Sequence, residues 1–191
     1  MADLKTQLEK AFRRVDIPPA NIDNLIAFLD ILNEWNKNIA LISKKETNIV
    51  GQLVAPSLLF FKFFRDPDLK VVDIGSGGGF PAVILKLYKP SLNITMIEPN
   101  YKKCGFLNYV CAKLGLRCTI LNKRVEDLKQ KINCDVVTAR ALKFEPLLPE
   151  IKKRITGGYL FYISPKDNHP TFLTLEKEII FRKWSAQLYK L

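Results

Sequence analysis

The chain is 191 residues long, carries 30 Lys/Arg against 19 Asp/Glu, and has a formal net charge of +11 at neutral pH. With 48% hydrophobic and 26% charged residues it has the composition of an ordinary globular domain, which excludes a disordered or low-complexity chain. Its most apolar segment, 53–64, is too short for a membrane span and contains Lys62, and its charged amphipathic start lacks a signal-peptide pattern, so the cytoplasm is the expected compartment.

Along the chain, Ile22, Leu25, Ile26, Leu29, Leu32 and Trp35 recur at helical spacing. This predicts a helix whose apolar face packs on a sheet, with Trp35 in the core and Asn36-Lys37-Asn38 closing it. A second helix is expected from Thr47, as N-cap, to Phe64, kinked or broken at Pro56. Val71, Val72 and Ile74 read as a buried parallel strand, and 80–88 as the helix after it, with Pro81 in the first turn. Further strands are expected at 93–98 and 117–121, a fourth ending at Arg140, and a fifth over 161–165. After Lys166 a single strand-like run, 178–184, remains, which predicts a missing last strand and an open sheet edge. The sum is one α/β domain with a mostly parallel, Rossmann-like sheet, in which a helical preface (1–66) precedes the core (67–191).

The most informative stretch is 71–80, where Asp73 stands two places before Gly75-Ser76-Gly77-Gly78-Gly79-Phe80. A strand, an acid, a glycine-rich turn and a helix suit S-adenosylmethionine best. Gly75, Ser76, Gly77 and Gly79 would let the cofactor lie against bare backbone, with its carboxylate near the helix N-terminus. Asp73 would order the loop and bind the amino group. A dinucleotide is the alternative ligand, but its third glycine position is Phe80 here, and a glycine at that site normally lets helix and strand pack closely. A turn without a ligand explains four glycines in five residues poorly, because of their entropy cost. Glu98, at the end of the next strand, is the candidate acceptor for the ribose hydroxyls. After the third strand, Glu126 or Asp127 or the local backbone would face the adenine, and composition does not choose between the two acids.

Cys104, Cys111 and Cys118 fall seven apart and Cys134 stands alone, a spacing that fits neither a zinc site nor a secreted disulfide frame. Reduced, partly buried thiols and no metal are expected. His169, in a polar turn before Pro170, has no cysteine near it in sequence, so a catalytic thiol is not indicated. Charge is uneven: residues 1–98 hold 12 Lys/Arg and 11 Asp/Glu, whereas residues 99–191 hold 18 and 8. A one-sided excess of this kind neutralises phosphates, which makes RNA the leading partner, read by shape and backbone in the absence of an RNA-recognition or KH signature.

The run Trp35-Asn36-Lys37, the loop 75–81, Lys102-Lys103 with Phe106-Leu107, Arg124-Val125-Glu126, and the stretch 135–142 with Ala139-Arg140-Ala141 together resemble the GidB or RsmG family. The resemblance covers about residues 15–166. It implies an S-adenosylmethionine-dependent methyltransferase fold, formation of 7-methylguanosine in the 530 loop of 16S ribosomal RNA, and cofactor contacts at Gly75, Phe80, Val125, Glu126 and Arg140. Guanine N7 has a free lone pair, so its methylation asks for alignment and no strong base. The chain accordingly shows neither an Asn-Pro-Pro-Tyr motif nor a Pro-Cys nucleophile. Arg140, at the carboxyl end of its strand, could hold the guanine edge, a phosphate or the methionine carboxylate, and Lys166 occupies the matching place after the fifth strand. These two are the candidate catalytic residues. The family's Arg-His-x-x-x-Asp-Ser pattern is replaced here by Gly51-Gln52-Leu53-Val54-Ala55-Pro56-Ser57. That departure keeps two alternatives in view: a cofactor-binding copy with a changed or lost substrate, and a non-catalytic RNA-binding protein.

Overall fold

A computed structural model describes residues 3–43, 46–66, 68–165, 170 and 173–191. Helix α1 (Leu4–Val15) is capped by the Asp3 carboxylate, which accepts from the N–H groups of Lys5 and Thr6. It buries Leu8, Ala11, Phe12 and Val15, a single stripe at helical spacing. Helix α2 (Ile22–Trp35) ends at Asn36, whose side-chain oxygen accepts from the N–H groups of Leu41 and Ile42.

The expected second helix is not continuous. A π-helical turn (Val50–Val54) is followed by two single-turn helices, α3 (Ala55–Leu58) and α4 (Phe60–Phe63). Its start is set by Asn48 rather than Thr47, because the Asn48 amide oxygen accepts from Gly51 N–H at 2.8 Å. Pro56 is accommodated just after the π turn. It has no N–H to give the carbonyl four residues back, that of Gln52.

The chain then alternates strand and helix: β1 (Lys70–Ile74), α5 (Ala82–Tyr88), β2 (Asn93–Ile97), α6 (Tyr101–Lys113) and β3 (Cys118–Leu121). A 3-10 turn (Val125–Asp127) leads to the short β4 (Ile132–Asn133) and to β5 (Val136–Arg140). Then come α7 (Leu148–Arg154), β6 (Ile155–Thr156), β7 (Tyr159–Pro165), β8 (Leu175–Phe181) and β9 (Trp184–Lys190). Seven strands form one sheet in the order β3-β2-β1-β5-β7-β9-β8, while β4 and β6 pair separately. β1, β2, β3, β5 and β7 are parallel neighbours, and β9 runs antiparallel between β7 and β8.

The carboxyl end therefore corrects the sequence reading. The apparent single run at 178–184 spans a two-residue turn at Arg182-Lys183, with Arg182 at φ +59°, and β9 follows it. Nothing in Arg-Lys resembles the Asn-Gly or Asp-Gly that usually marks such a turn, so the hairpin is silent in the sequence. The sheet is completed, and β8 is its edge.

Residues alternate between the two faces of the sheet. Val71, Ile94, Phe161 and Ile163 join the helical preface in one hydrophobic cluster, and Val72, Ile97, Val137 and Leu160 join α7 in another. Helix α2 does not lie on the sheet itself, as expected from its stripe, but on α5 and α6, which cover the sheet. Phe28 of α2 meets Phe80 and Phe106 at ring-centroid distances of 5.5 and 6.4 Å. Trp35 is half-buried and packs edge-on against Phe106 at 5.7 Å. No helix among the described residues is long and apolar enough to cross a membrane.

Candidate cofactor and substrate site

The carboxyl ends of β1, β2 and β5 gather the residues singled out by sequence. Asp73 is buried at 1% exposure. Its Oδ1 accepts from the Thr138 hydroxyl on the neighbouring strand at 2.6 Å, while its Oδ2 has no partner among the described residues. Burial pushes its pKa up to about 6, against the opposing effect of the nearby Ser76 and Thr138 hydroxyls, of which only Thr138 is hydrogen-bonded to the carboxyl, and Glu98 adds to the rise.

The glycine loop follows directly. Gly79 sits at φ +86°, and a Cβ there would lie 2.6 Å from Val83 Cγ2, so only glycine allows the loop to enter α5. Helix α5 begins at Ala82, two residues later than the sequence suggests. Three of the loop's glycine N–H groups are turned inward. Gly75 donates to Ile97 O at 2.8 Å, Gly77 to Glu98 Oε2 at 2.8 Å, and Gly79 to Ser76 O at 2.7 Å. These donors are spent on fixing the loop, and what it presents is bare backbone. The buried Ser76 hydroxyl donates to Asp73 O at 3.3 Å, which also holds the turn.

Two cavities flank the loop and share Gly75. The first, about 250 Å³, is lined by Gly75, Ile97, Glu98, Val125, Glu126 and Leu142 among others. Glu98 is 5% exposed and uses both oxygens on backbone, accepting from Gly77 and Asn100 N–H. Each carboxylate oxygen retains capacity for a second hydrogen bond. Glu126 lines this cavity and Asp127 does not, a choice that composition left open.

The second cavity, about 280 Å³, is bounded by Gly77, Phe80, Lys103, Arg140, Ser43 and Glu46 among others. Arg140 Nη2 donates to Gln52 O at 2.8 Å, its guanidinium lies 4.1 Å from the Trp184 ring centroid, and Nη1 is buried with no partner among the described residues. Burial lowers its pKa to about 10, with Glu46 opposing the shift, so it is charged at neutral pH. Glu46 itself has a buried Oε2 with no partner among the described residues. Sequence reasoning missed Glu46, which stands in irregular chain between α2 and the π turn with no motif around it. Trp184 was also unassigned. Lys166 lies outside the described residues, as does His169. The four cysteines form no disulfide, and burial raises the thiol pKa of Cys104 and Cys134.

This arrangement has relatives. An S-adenosylmethionine-dependent methyltransferase from Aquifex aeolicus superposes with a TM-score of 0.60 at 16% identity, over 83% of this chain and 97% of that one. The ribosomal protein L11 methylase of Lactobacillus delbrueckii gives 0.60 at 15% identity, over 73% and 78%. At those identities the likeness is one of fold. In sequence, the ribosomal RNA small subunit methyltransferase G of Mycoplasma capricolum is 36% identical over 150 residues, and that of Rickettsia bellii 35% over 128. These matches cover 75% and 66% of this chain and 65% of each relative, so the chain spans a little under two thirds of their length. Residues 21–190 match the family described as GidB, rRNA small subunit methyltransferase G. Because that match runs from the start of α2 to the end of β9 and takes in the glycine loop, Glu98 and Arg140, the chain belongs to the GidB family.

Proposed function

We propose that the chain is an S-adenosylmethionine-dependent methyltransferase acting on guanine N7 in the 530 loop of 16S ribosomal RNA, in the cytoplasm. The observation that carries this reading is a gathering of unpaired atoms: Asp73 Oδ2, Arg140 Nη1 and Glu46 Oε2 are all buried around one glycine loop with no partner among the described residues. Buried polar groups are nearly always hydrogen-bonded. Three orphans at one loop therefore call for a ligand with an ammonium, a carboxylate and a further donor. An amino acid supplies the first two, for Asp73 and Arg140. A guanine, with N1–H and the N2 amino group as donors, supplies the third for Glu46.

S-adenosylmethionine, when bound, supplies an electrophilic methyl group on a sulfonium centre. Glu98 would accept the ribose hydroxyls, and Ile97, Val125 and Leu142, which line the same cavity with Glu126, would wall the adenine. Gly75 lines both cavities, so a single ligand reaching from one to the other would lie against its bare backbone. A carboxylate on the Watson–Crick edge of guanine leaves the N7 edge free on the other side of the base. Nitrogen N7 loses no proton on methylation, so Asp73 and Glu46 serve as binding groups and the site works by alignment.

The altered stretch at 51–57 remains tied to the site, since the Gln52 carbonyl accepts from Arg140 Nη2. The test is transfer of labelled methyl from S-adenosylmethionine to small ribosomal subunits lacking the modification, followed by digestion to nucleosides. Labelled 7-methylguanosine is the expected product. Cofactor binding without that product would replace the proposal with a copy whose substrate has changed.

A further inference from the structure

We propose that a basic cavity beside the catalytic trough binds a phosphodiester of the RNA substrate, a reading that rests on the proposed action on RNA. The cavity, about 240 Å³, lies between α1, the π turn and the β8–β9 hairpin. Three cations reach it from two distant parts of the chain: Lys10 and Arg14 from α1, and Arg182 from the hairpin turn. Gln7 and Asn48 add amides, Gly51 and Ala55 give a buried floor, and no acidic residue lines it among those described.

The charges are uncompensated. Lys10, Arg14 and Arg182 make no ion pair among the described residues, whose pairs are Lys37 with Glu34, Lys62 with Asp16, and Arg154 with Glu150. Lys10 and Arg14 stand four apart on one helix face, where like charges repel. Arg182 is held at φ +59°, a backbone region uncommon for a residue with a side chain. The sequence thus sets three cations around a hollow with nothing of opposite sign among the described residues that line it, an arrangement that a bound anion relieves. Asn48 spends its Oδ1 on Gly51 N–H, which leaves its amide nitrogen as a further donor. A side chain at Gly51 would meet that amide at 2.9 Å, so the glycine in place of the family's arginine keeps both the cap and the hollow.

Position favours RNA over a free anion. The π turn is the wall between the two sites: Asn48, Val50 and Gly51 line the basic cavity, while Gln52 O meets Arg140 and Leu53 lines the catalytic one. Arg182 and Trp184 belong to the same hairpin, and Trp184 pairs with Pro165 at the carboxyl edge of the sheet. A strand whose guanine occupies the catalytic cavity would cross the π turn with its backbone over Lys10, Arg14 and Arg182.

The test compares the full chain with a Lys10→Ala, Arg14→Ala, Arg182→Gly variant. Alanine suits the helix and glycine suits the positive φ, so neither change threatens the fold. A control removes Lys70, Lys152 and Lys190, which lie towards the amino-terminal edge of the sheet. Binding of a short fluorescein-labelled single-stranded RNA is measured as a function of salt. We expect the slope of log K against log salt to fall by about 2 for the cavity variant, roughly 0.7 per phosphate contact on a single strand, and to change less for the control. Cofactor affinity should not change. An unchanged slope, or an equal fall in the control, overturns the proposal. So does a thermal shift with inorganic phosphate that the variant loses while its RNA slope stays intact, since the site would then serve a free anion. Methyl transfer by the unaltered chain is read in parallel. A lost slope without any methyl transfer by that chain would sink the proposed activity and leave the phosphate site standing.

Discussion

The guanidinium of Arg140 donates through Nη2 to the carbonyl of Gln52 at 2.8 Å, and that carbonyl is the one from which Pro56 withholds the helical N–H. One residue in β5 thereby satisfies a helix defect 88 residues earlier in the chain. The Trp184 ring, 4.1 Å from the guanidinium carbon, fixes its plane. Three elements are tied together while Nη1 has no partner among the described residues. The departure from the family pattern at 51–57 and the site arginine are thus parts of one arrangement.

Replacing Arg140 by lysine keeps a charge but removes the planar fork, which cannot then serve Gln52, Trp184 and a ligand together. The Arg140→Lys variant should lose about 1–3 kcal/mol of stability and at least tenfold in kcat/KM for methyl transfer. Urea denaturation and steady-state kinetics check the two effects. Unchanged kcat/KM with reduced stability would reduce Arg140 to a structural tie.

Asp73 separates binding from folding. Its folded pKa of about 6 lies above the ordinary 3.8, so the native state holds the proton more tightly than the unfolded chain. Stability from this group is present at low pH and is lost as pH rises through 6, a cost of about 3 kcal/mol once the buried carboxylate is charged. Asp73→Asn should remove that slope, so wild type minus variant becomes steadily less favourable between pH 4 and 6, within about a unit. Cofactor affinity should move the other way, weakening by about 1–3 kcal/mol in Asp73→Asn or Asp73→Ala. Parallel stability–pH curves would rule out the buried-charge account, and unchanged affinity by calorimetry would rule out the ammonium contact.

Much of the trough is legible in the sequence because it depends on backbone. Asp73, the glycines, Glu98 and Arg140 stand at strand ends, and the order of strands and helices places strand ends together. What stayed hidden depends on tertiary contact. Glu46 has no local pattern, and the Arg182-Lys183 turn has no turn residues, so β9 and Trp184 merged into the run before them. Asn48 displaced Thr47 as cap because Gly51 leaves room for its amide, a matter of packing that adjacent cap-forming residues do not reveal.

Glu46 carries the proposed recognition of guanine. Its carboxylate accepts two donors from the Watson–Crick edge, whereas a glutamine offers one acceptor and would set its amide against those donors. Glu46→Gln should lower kcat/KM for RNA by about 10- to 100-fold, as for a lost charged hydrogen bond, and leave cofactor affinity within twofold, roughly the noise of additivity. A variant that loses cofactor binding instead would move Glu46 to the methionine side of the cavity.

Two glycines make a matched test of where the loop geometry is required. Gly79 combines φ +86° with a would-be Cβ 2.6 Å from Val83 Cγ2 and 3.1 Å from Val83 Cβ, so Gly79→Ala meets both a backbone and a packing penalty. Together these amount to about 2–5 kcal/mol. Gly105, exposed in the middle of α6, has no atom within 4 Å of its would-be Cβ. There alanine removes the entropy cost of a helical glycine, and Gly105→Ala should stabilise by about 0.5–1 kcal/mol. Urea midpoints with an unchanged m-value read both variants on one scale. If Gly79→Ala proves as mild as Gly105→Ala, the entry of the loop into α5 is free to take another path and glycine is not required there.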